Sequence, residues 1–119
     1  EIIENLHGVV WQIIGQERAA RNRLMHESSV RIADRVHRSF GILANARILD
    51  SKETAQRLSD VRMGVDLGII EHVPVRTLNE LMVMTQPGFL QLYFGDKLTP
   101  EQRDVRRAEL VRKRLTGKA

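Results

Sequence analysis

Cysteine is absent from this chain of 119 residues. Its absence excludes a thiol nucleophile, a disulfide framework and any zinc site built on cysteine. Aromatic residues make up only 4% of the chain, so aliphatic side chains and methionine must fill the core that a hydrophobic fraction of 42% allows. The length suits one domain, or one domain with a piece of another.

Long apolar runs are also missing. No run reaches the length that a membrane span needs, and no signal peptide is visible. We therefore expect a soluble, cytoplasmic protein with no membrane partner. The chain does have an excess of positive charge, since 19 Lys and Arg against 15 Asp and Glu give a net charge of +4. This excess favours an anionic partner, which could be nucleic acid, a phosphorylated protein or an acidic protein.

Apolar residues recur at helical spacing along the chain, and no alternating run of strand length stands out. The pattern predicts an all-α fold, a compact domain of about five helices. Ser28 and Ser29 suggest a helix start, and so do Asp50 and Ser51, because such residues cap helices well. The predicted helices cover residues 1–26, 28–49, 51–68, 75–85 and 99–115, with a short apolar helix or turn over 89–94.

Two glycines, Gly41 and Gly64, fall inside predicted helices. Each costs about 1 kcal/mol relative to alanine at such a position. We interpret them as places where two helices pack closely.

The chain carries few signals of catalysis. Its four histidines are scattered, and no two share a helix at ligand spacing, so we expect no metal site. No glycine-rich phosphate loop is present, and the serines at cap positions have no histidine partner in the sequence. We predict no catalytic residue and no cofactor for this chain.

One stretch, Ser51–Leu58, resembles the first helix of a helix-turn-helix DNA-binding motif. A recognition helix should follow a tight turn, but residues 59–65 continue the helical period. Asp66 and Glu71 then add acid where basic residues would be expected. Nucleic-acid binding remains an alternative that only the net charge supports.

The last predicted helix carries the most informative pattern, Arg-Asp-Val-Arg-Arg-Ala over residues 103–108. Arg103 and Arg107 lie one turn apart on a common face, and Asp104 lies three residues before Arg107. Two guanidinium groups with a carboxylate between them suit a ligand that is an anion carried on a cation. The alternative is an ordinary surface pair of Asp104 and Arg107, worth about 0.2–0.5 kcal/mol.

The residues before this pattern predict where the helix begins. Thr99 is a good N-cap, Pro100 suits the first helical position and Gln102 completes a capping box. The helix N-terminus therefore lies close to the two arginines and adds partial positive charge.

Four strings of the chain, in order, resemble the bacterial protein-arginine kinases, which are relatives of the phosphagen kinases such as creatine and arginine kinase. The last of them fits without departure that family's Arg-Asp-x-x-Arg-Ala motif of the phosphoarginine pocket. The resemblance covers essentially the whole chain. The four strings are Gly41–Leu49, Asp60–Gly68, Thr85–Gln91 and Arg103–Ala108.

The resemblance implies two parts. Residues 1–27 are similar to the closing helix of a phosphagen-kinase core, and residues 28–119 to a helical domain added C-terminal to that core. In this family the added domain supports dimerisation and binds phosphoarginine. ATP with Mg²⁺ and the catalytic residues belong to the core, so the resemblance implies that this chain has no kinase activity alone.

The same resemblance assigns phosphoarginine binding, on proteins or as the free amino acid, to the residues of the motif. Arg103 and Arg107 would meet the phosphoryl oxygens, Asp104 would accept from the guanidinium group, and Ala108 would keep the approach open. A pure dimerisation scaffold, most simply a homodimer, is the alternative. Three further candidates for completing the pocket are Arg47, Arg62 and Gln86.

Overall fold

A computed structural model describes the backbone of residues 2–118 and the side-chain exposure of residues 8–95 and 97–118. Across residues 2–118 every regular element is helical, which confirms the all-α prediction. No helix in this range is both long enough and apolar enough to cross a membrane. The elements are α1 (Ile2–Ala44), α2 (Ser51–Asp66), α3 (Val75–Met84), α4 (Phe89–Phe94), a 3-10 turn (Gly95–Lys97) and α5 (Pro100–Thr116).

The chain divides into two compact units, one up to residue 32 and one from residue 33 onward. The first unit belongs to α1, and apolar side chains such as Val10, Ile13 and Leu24 are exposed on it. The second unit contains the end of α1 and the four later helices. Every buried side chain of the described residues lies in this second unit.

The predicted helix break between residues 26 and 28 is wrong, because α1 runs through it. The Ser29 hydroxyl donates a hydrogen bond of 2.9 Å to the carbonyl of Met25, one turn earlier. A serine side chain that bonds back into its own helix can sit in the helix interior and caps nothing.

The end of α1 also comes earlier than predicted. The helix ends at Ala44, and the side-chain amide of Asn45 donates a hydrogen bond of 2.7 Å to the carbonyl of Gly41. Ala46 then adopts a φ of 54°, in the left-handed region that an α-helix cannot continue through. Residues 45–50 are therefore a connection and not the last turns of a helix.

The other predicted boundaries agree more closely with the structure. The Asp50 carboxylate accepts from the backbone N–H of Glu53 at 2.7 Å, so the predicted cap of α2 is confirmed. The predicted break at Gln86-Pro87-Gly88 is confirmed too, and Gly88 adopts a φ of 83° there. The 3-10 turn after α4 has no counterpart in the prediction.

The core of the second unit is aliphatic, as the low aromatic content requires. Its largest fully buried aliphatic side chains come from four helices, and the end of α1 contacts α2, where the Ser39 hydroxyl donates to the Asp60 carboxylate at 2.7 Å. These aliphatic side chains are Val36, Leu58, Val61, Leu78, Leu81 and Val111.

The two interior glycines differ. A Cβ atom on Gly64 would overlap Cγ1 of Val36, whereas a Cβ atom on Gly41 would have no neighbour within 4 Å among the described residues. Close packing is therefore the reason for Gly64 and not for Gly41. Because Val36 is fully buried and branched at Cβ, it has little freedom to move away.

This difference predicts opposite effects of one substitution. Gly64→Ala should lower the free energy of unfolding by about 1–3 kcal/mol, the usual cost of overpacking a core. Gly41→Ala should raise it by about 0.5–1 kcal/mol, because alanine loses less backbone entropy in a helix. Denaturant unfolding followed by circular dichroism measures both. Equal effects of the two substitutions would contradict the packing of α1 on α2.

Candidate anion-binding site

The start of α5 positions the candidate site. The hydroxyl of Thr99 accepts from the backbone N–H of Gln102 at 3.2 Å, and the Gln102 side chain accepts from the backbone N–H of Thr99 at 2.9 Å. Pro100 is the first helical residue. This reciprocal capping box confirms the prediction, and it fixes which residues of α5 face inward.

The inward face of α5 borders a cavity of about 190 Å³. Its wall combines residues from α2, from the turn between α3 and α4, from α4 and from α5. Arg103, Asp104 and Arg107 of the motif all belong to this wall, so the structure brings the three charged residues of the motif together. The other polar side chains in the wall are Ser51, Gln86 and Gln91.

Arg107 is the most constrained of the three, and it is only 7% exposed. Its Nη1 donates to Oδ1 of Asp104 at 2.8 Å and to the carbonyl oxygen of Leu49 at 3.4 Å. A guanidinium group carries five N–H donors in one plane, so these two bonds set its orientation. The Nε atom is buried and has no hydrogen-bond partner among the described residues.

Arg103 has no ion-pair partner among the residues that the structure describes. Its Nε atom is buried and likewise lacks a hydrogen-bond partner in that part of the chain. Asp104, whose side chain is 33% exposed, uses Oδ1 for Arg107 and has no hydrogen bond to Oδ2 within the described residues. Two cations against one anion leave the cavity with a net positive charge and unused donors.

An unpartnered buried donor is costly, by about 1–3 kcal/mol for each group. The Nε atoms of Arg103 and Arg107 are the two such side-chain atoms found in the described part of the chain. The two residues line the same cavity, so the two unpaired nitrogen atoms of the described residues belong to arginines of one site.

The structure separates the remaining sequence candidates. Gln86 lies in the cavity wall. Ala108 is buried on the core side of α5 and is not part of the wall. Arg62 donates to Asp66 on its own helix and to Asn79 of α3, at 3.2 and 2.9 Å, so it joins two helices away from the cavity. Arg47 lines a different cavity, at the end of α1.

Sequence reasoning missed two contributors, Ser51 and the Leu49 carbonyl. Both precede Arg107 by more than fifty residues, and the Leu49–Arg107 bond spans 58 positions. Ser51 has the signal of a helix start, which says nothing about what its side chain faces. Only the packing of α5 beside the start of α2 brings them together.

No group of three or more His, Asp or Glu side chains in the described residues could hold a metal ion. The charged groups at the cavity are donors and one carboxylate. Their chemistry suits hydrogen bonding to an oxyanion.

The burial of Arg107 predicts the stability effect of its partner. Asp104→Ala should lower the free energy of unfolding by about 1–3 kcal/mol, because a nearly buried guanidinium loses its acceptor. The matched control is Asp34→Ala, since Asp34 pairs with Arg38 at 2.8 Å with both side chains largely exposed. That control should cost about 0.3–0.5 kcal/mol. Thermal unfolding measures both variants. If both lose the same small free energy of unfolding, Asp104 does not stabilise the buried position of Arg107.

These observations define the class of protein as an all-helical domain whose last helix forms an arginine-containing cavity. Residues 29–119 match the family model described as the protein-arginine kinase McsB C-terminal domain. The chain belongs to this family, and the resemblance drawn from its sequence is confirmed.

Individual relatives agree with the family match. A protein-arginine kinase of Halalkalibacterium halodurans is 59% identical over 115 residues, and one of Geobacillus stearothermophilus is 58% identical over the same length. A protein-arginine kinase of Brevibacillus brevis is 60% identical. Each alignment covers 97% of this chain and 32% of the relative. The chain therefore spans about a third of the length of the curated relatives it matches.

Proposed function

We propose that this chain is the phosphoarginine-binding part of a protein-arginine kinase, that it regulates or recruits the kinase, and that it does not itself transfer phosphate. The whole protein would phosphorylate arginine side chains of other proteins with ATP and Mg²⁺, in a core outside this chain. Residues up to about 27 would be the last helix of that core. The observation that carries the binding proposal is Arg107, buried and oriented at the cavity wall with a donor that no described residue pairs.

The phosphoryl group of phosphoarginine matches the two arginines of the cavity in charge and in hydrogen bonding. By analogy with other phosphorylated side chains it carries a charge of roughly −1.5 to −2 at neutral pH. Arg103 and Arg107 offer planar donors that match its oxygens, and charge-assisted bonds of this kind are about twice as strong as neutral ones.

The guanidinium group of the ligand matches Asp104. Asp104 uses one carboxylate oxygen for Arg107, which leaves the other oxygen to accept from a guanidinium N–H. Phosphoserine and inorganic phosphate have no such donor. Asp104 would thus do two things, since it orients Arg107 and selects phosphoarginine among phosphate compounds.

The size of the cavity favours this ligand over nucleic acid. Non-specific DNA binding depends on neutralising many phosphates along a surface. A cavity of about 190 Å³ with two arginines in its wall accommodates a single phosphorylated side chain.

The phosphoryl half is tested with Arg107→Lys. Lysine keeps the charge but loses the planar pair of donors, so phosphoarginine binding should weaken by about 1.5–3 kcal/mol. Calorimetric titration of the chain with free phosphoarginine measures this loss. The control is Arg106→Lys, since Arg106 is half exposed, pairs with Glu109 at 3.6 Å and is not in the cavity wall. Equal losses in the two variants would contradict the assignment.

The guanidinium half is tested with Asp104→Asn. Asparagine can still accept from Arg107, but it is a weaker acceptor for a cation, so phosphoarginine binding should weaken by about 1.5–3 kcal/mol. Binding of inorganic phosphate should stay the same or improve slightly, because a negative charge has gone. Titrations of both ligands at one ionic strength decide this. Tighter binding of both ligands would mean that Asp104 does not recognise a guanidinium group, and equally tighter binding of a DNA duplex would favour the nucleic-acid alternative.

A homodimer is the second part of the proposal, and α4 supports it. Leu92 is 90% exposed and Tyr93 is 68% exposed, whereas Leu90 on the same helix is buried. Closing the core of the monomer therefore accounts for buried Leu90 and for the half-buried Phe89 and Phe94, but not for Leu92 and Tyr93. Large exposed apolar side chains beside one another are typical of a protein interface. We place Leu92 and Tyr93 in a symmetric contact between two copies.

Leu92→Glu should therefore shift the chain towards monomer, because a charge would be buried in the contact. Light scattering at roughly tens of micromolar, where modest interfaces are populated, measures the mass. Leu67→Glu is the control, since Leu67 is also exposed but follows α2. A wild-type chain that stays monomeric in this range would contradict the dimer.

A further inference from the structure

Ser51 is the one hydroxyl residue among the described residues that line the cavity. It is the first residue of α2, and it is half-buried. The cap of this helix is the preceding residue, Asp50, whose carboxylate already accepts from the N–H of Glu53. The Ser51 side chain is thus not needed for capping, and it makes no hydrogen bond within the described residues.

The segment that presents Ser51 is the one that holds Arg107. The carbonyl of Leu49 accepts from Nη1 of Arg107 at 3.4 Å. Ser51 follows Leu49 by two residues, and two residues span at most about 7 Å. The segment whose carbonyl accepts from Arg107 therefore also supplies Ser51 to the wall of the cavity that Arg107 lines.

The first turn of α2 adds to the electrostatics of this end. The first N–H groups of a helix have no acceptor within it, and α2 is long enough, at 16 residues, to carry partial positive charge at its start. A second, independent observation points to a ligand here. The Arg107 side chain is only 9% exposed and borders the same cavity, and both of its hydrogen bonds to described residues use Nη1.

We propose that Ser51 is a ligand-binding residue, and that its hydroxyl donates to a phosphoryl oxygen held by Arg103 and Arg107. A phosphoryl group has three terminal oxygens, so two arginines leave acceptor capacity for a third donor. The inference rests on the proposed function and extends it, since it assigns the phosphoryl end of the ligand to the start of α2. Asp104 then recognises the guanidinium end.

This division gives Ser51 a different signature from Asp104. Ser51→Ala should weaken binding of phosphoarginine and of inorganic phosphate by the same factor, about tenfold to a hundredfold for one hydrogen bond to a charged group. Ser51→Thr keeps the hydroxyl and should stay within about twofold of wild type, well under the value of a hydrogen bond. Ser59→Ala is the matched control, because Ser59 is an exposed serine on the same helix.

A second variant, Ser51→Asp, distinguishes a loss of binding from a loss of folding. A carboxylate in the first turn of a helix favours folding, so the melting temperature should not fall below that of wild type. The same carboxylate would occupy the arginines and repel the phosphoryl group, so binding of both ligands should fall by more than about tenfold, the factor that 1.4 kcal/mol represents. Folded protein with lost binding would place Ser51 at the anion.

The experiment is calorimetric titration of the full chain and its variants with phosphoarginine and with inorganic phosphate. Wild-type binding that Ser51→Ala and Ser51→Asp both leave unchanged would overturn the role of Ser51, while the proposed function would stand. Loss of phosphoarginine binding alone, with phosphate binding kept, would also overturn it, since Ser51 would then lie at the guanidinium end. A wild-type chain that binds neither ligand would overturn both proposals.

Discussion

The ion pair between Arg107 and Asp104 is the interaction on which the cavity depends. Arg107 is a residue that is only 7% exposed, so its guanidinium group must find acceptors within the protein, and Asp104 and the Leu49 carbonyl accept from its Nη1. Burial without those acceptors would cost several kcal/mol. Since both bonds use Nη1, the other donors of the group stay available. The pair thus explains how a charged side chain can be a fixed part of the fold and still border the cavity with donors that it does not use.

The rest of the second unit positions three segments around the cavity, namely the start of α5, the start of α2 and the turn between α3 and α4. The capping box at Thr99 sets the start of α5, the Asp50 cap sets the start of α2, and the Pro87-Gly88 turn separates α3 from α4. Each of these caps and turns depends on only a few neighbouring residues. Aliphatic packing, tight enough at Gly64 to exclude a methyl group, then brings these ends to one cavity.

Local signals account for the features that the sequence predicts well. Caps, breaks and the spacing of Arg103 and Arg107 depend only on neighbouring residues, so the order of amino acids is enough to find them. The wrong predictions have other causes. Ser28 and Ser29 look like a cap, but Ser29 bonds back to Met25 within one helix. The pairing of Arg62 with Asn79 of α3 is a different case, because it depends on how two helices pack. The role of the Leu49 carbonyl has no side-chain signal at all, because every residue has a carbonyl group.

The hydrogen bond from Arg107 to Leu49 has a thermodynamic consequence for the connection at residues 45–50. A ligand that favours the observed position of Arg107 also favours the observed position of this connection, and linkage makes the effect reciprocal. A contact that stabilises the observed position of the connection would therefore raise the affinity for such a ligand, by the same factor by which the ligand stabilises that position, without touching the cavity. Ala46, in this connection, has a φ of 54°, a conformation that alanine rarely adopts. Any ligand of the cavity would therefore be coupled, through this hydrogen bond, to the connection that follows α1.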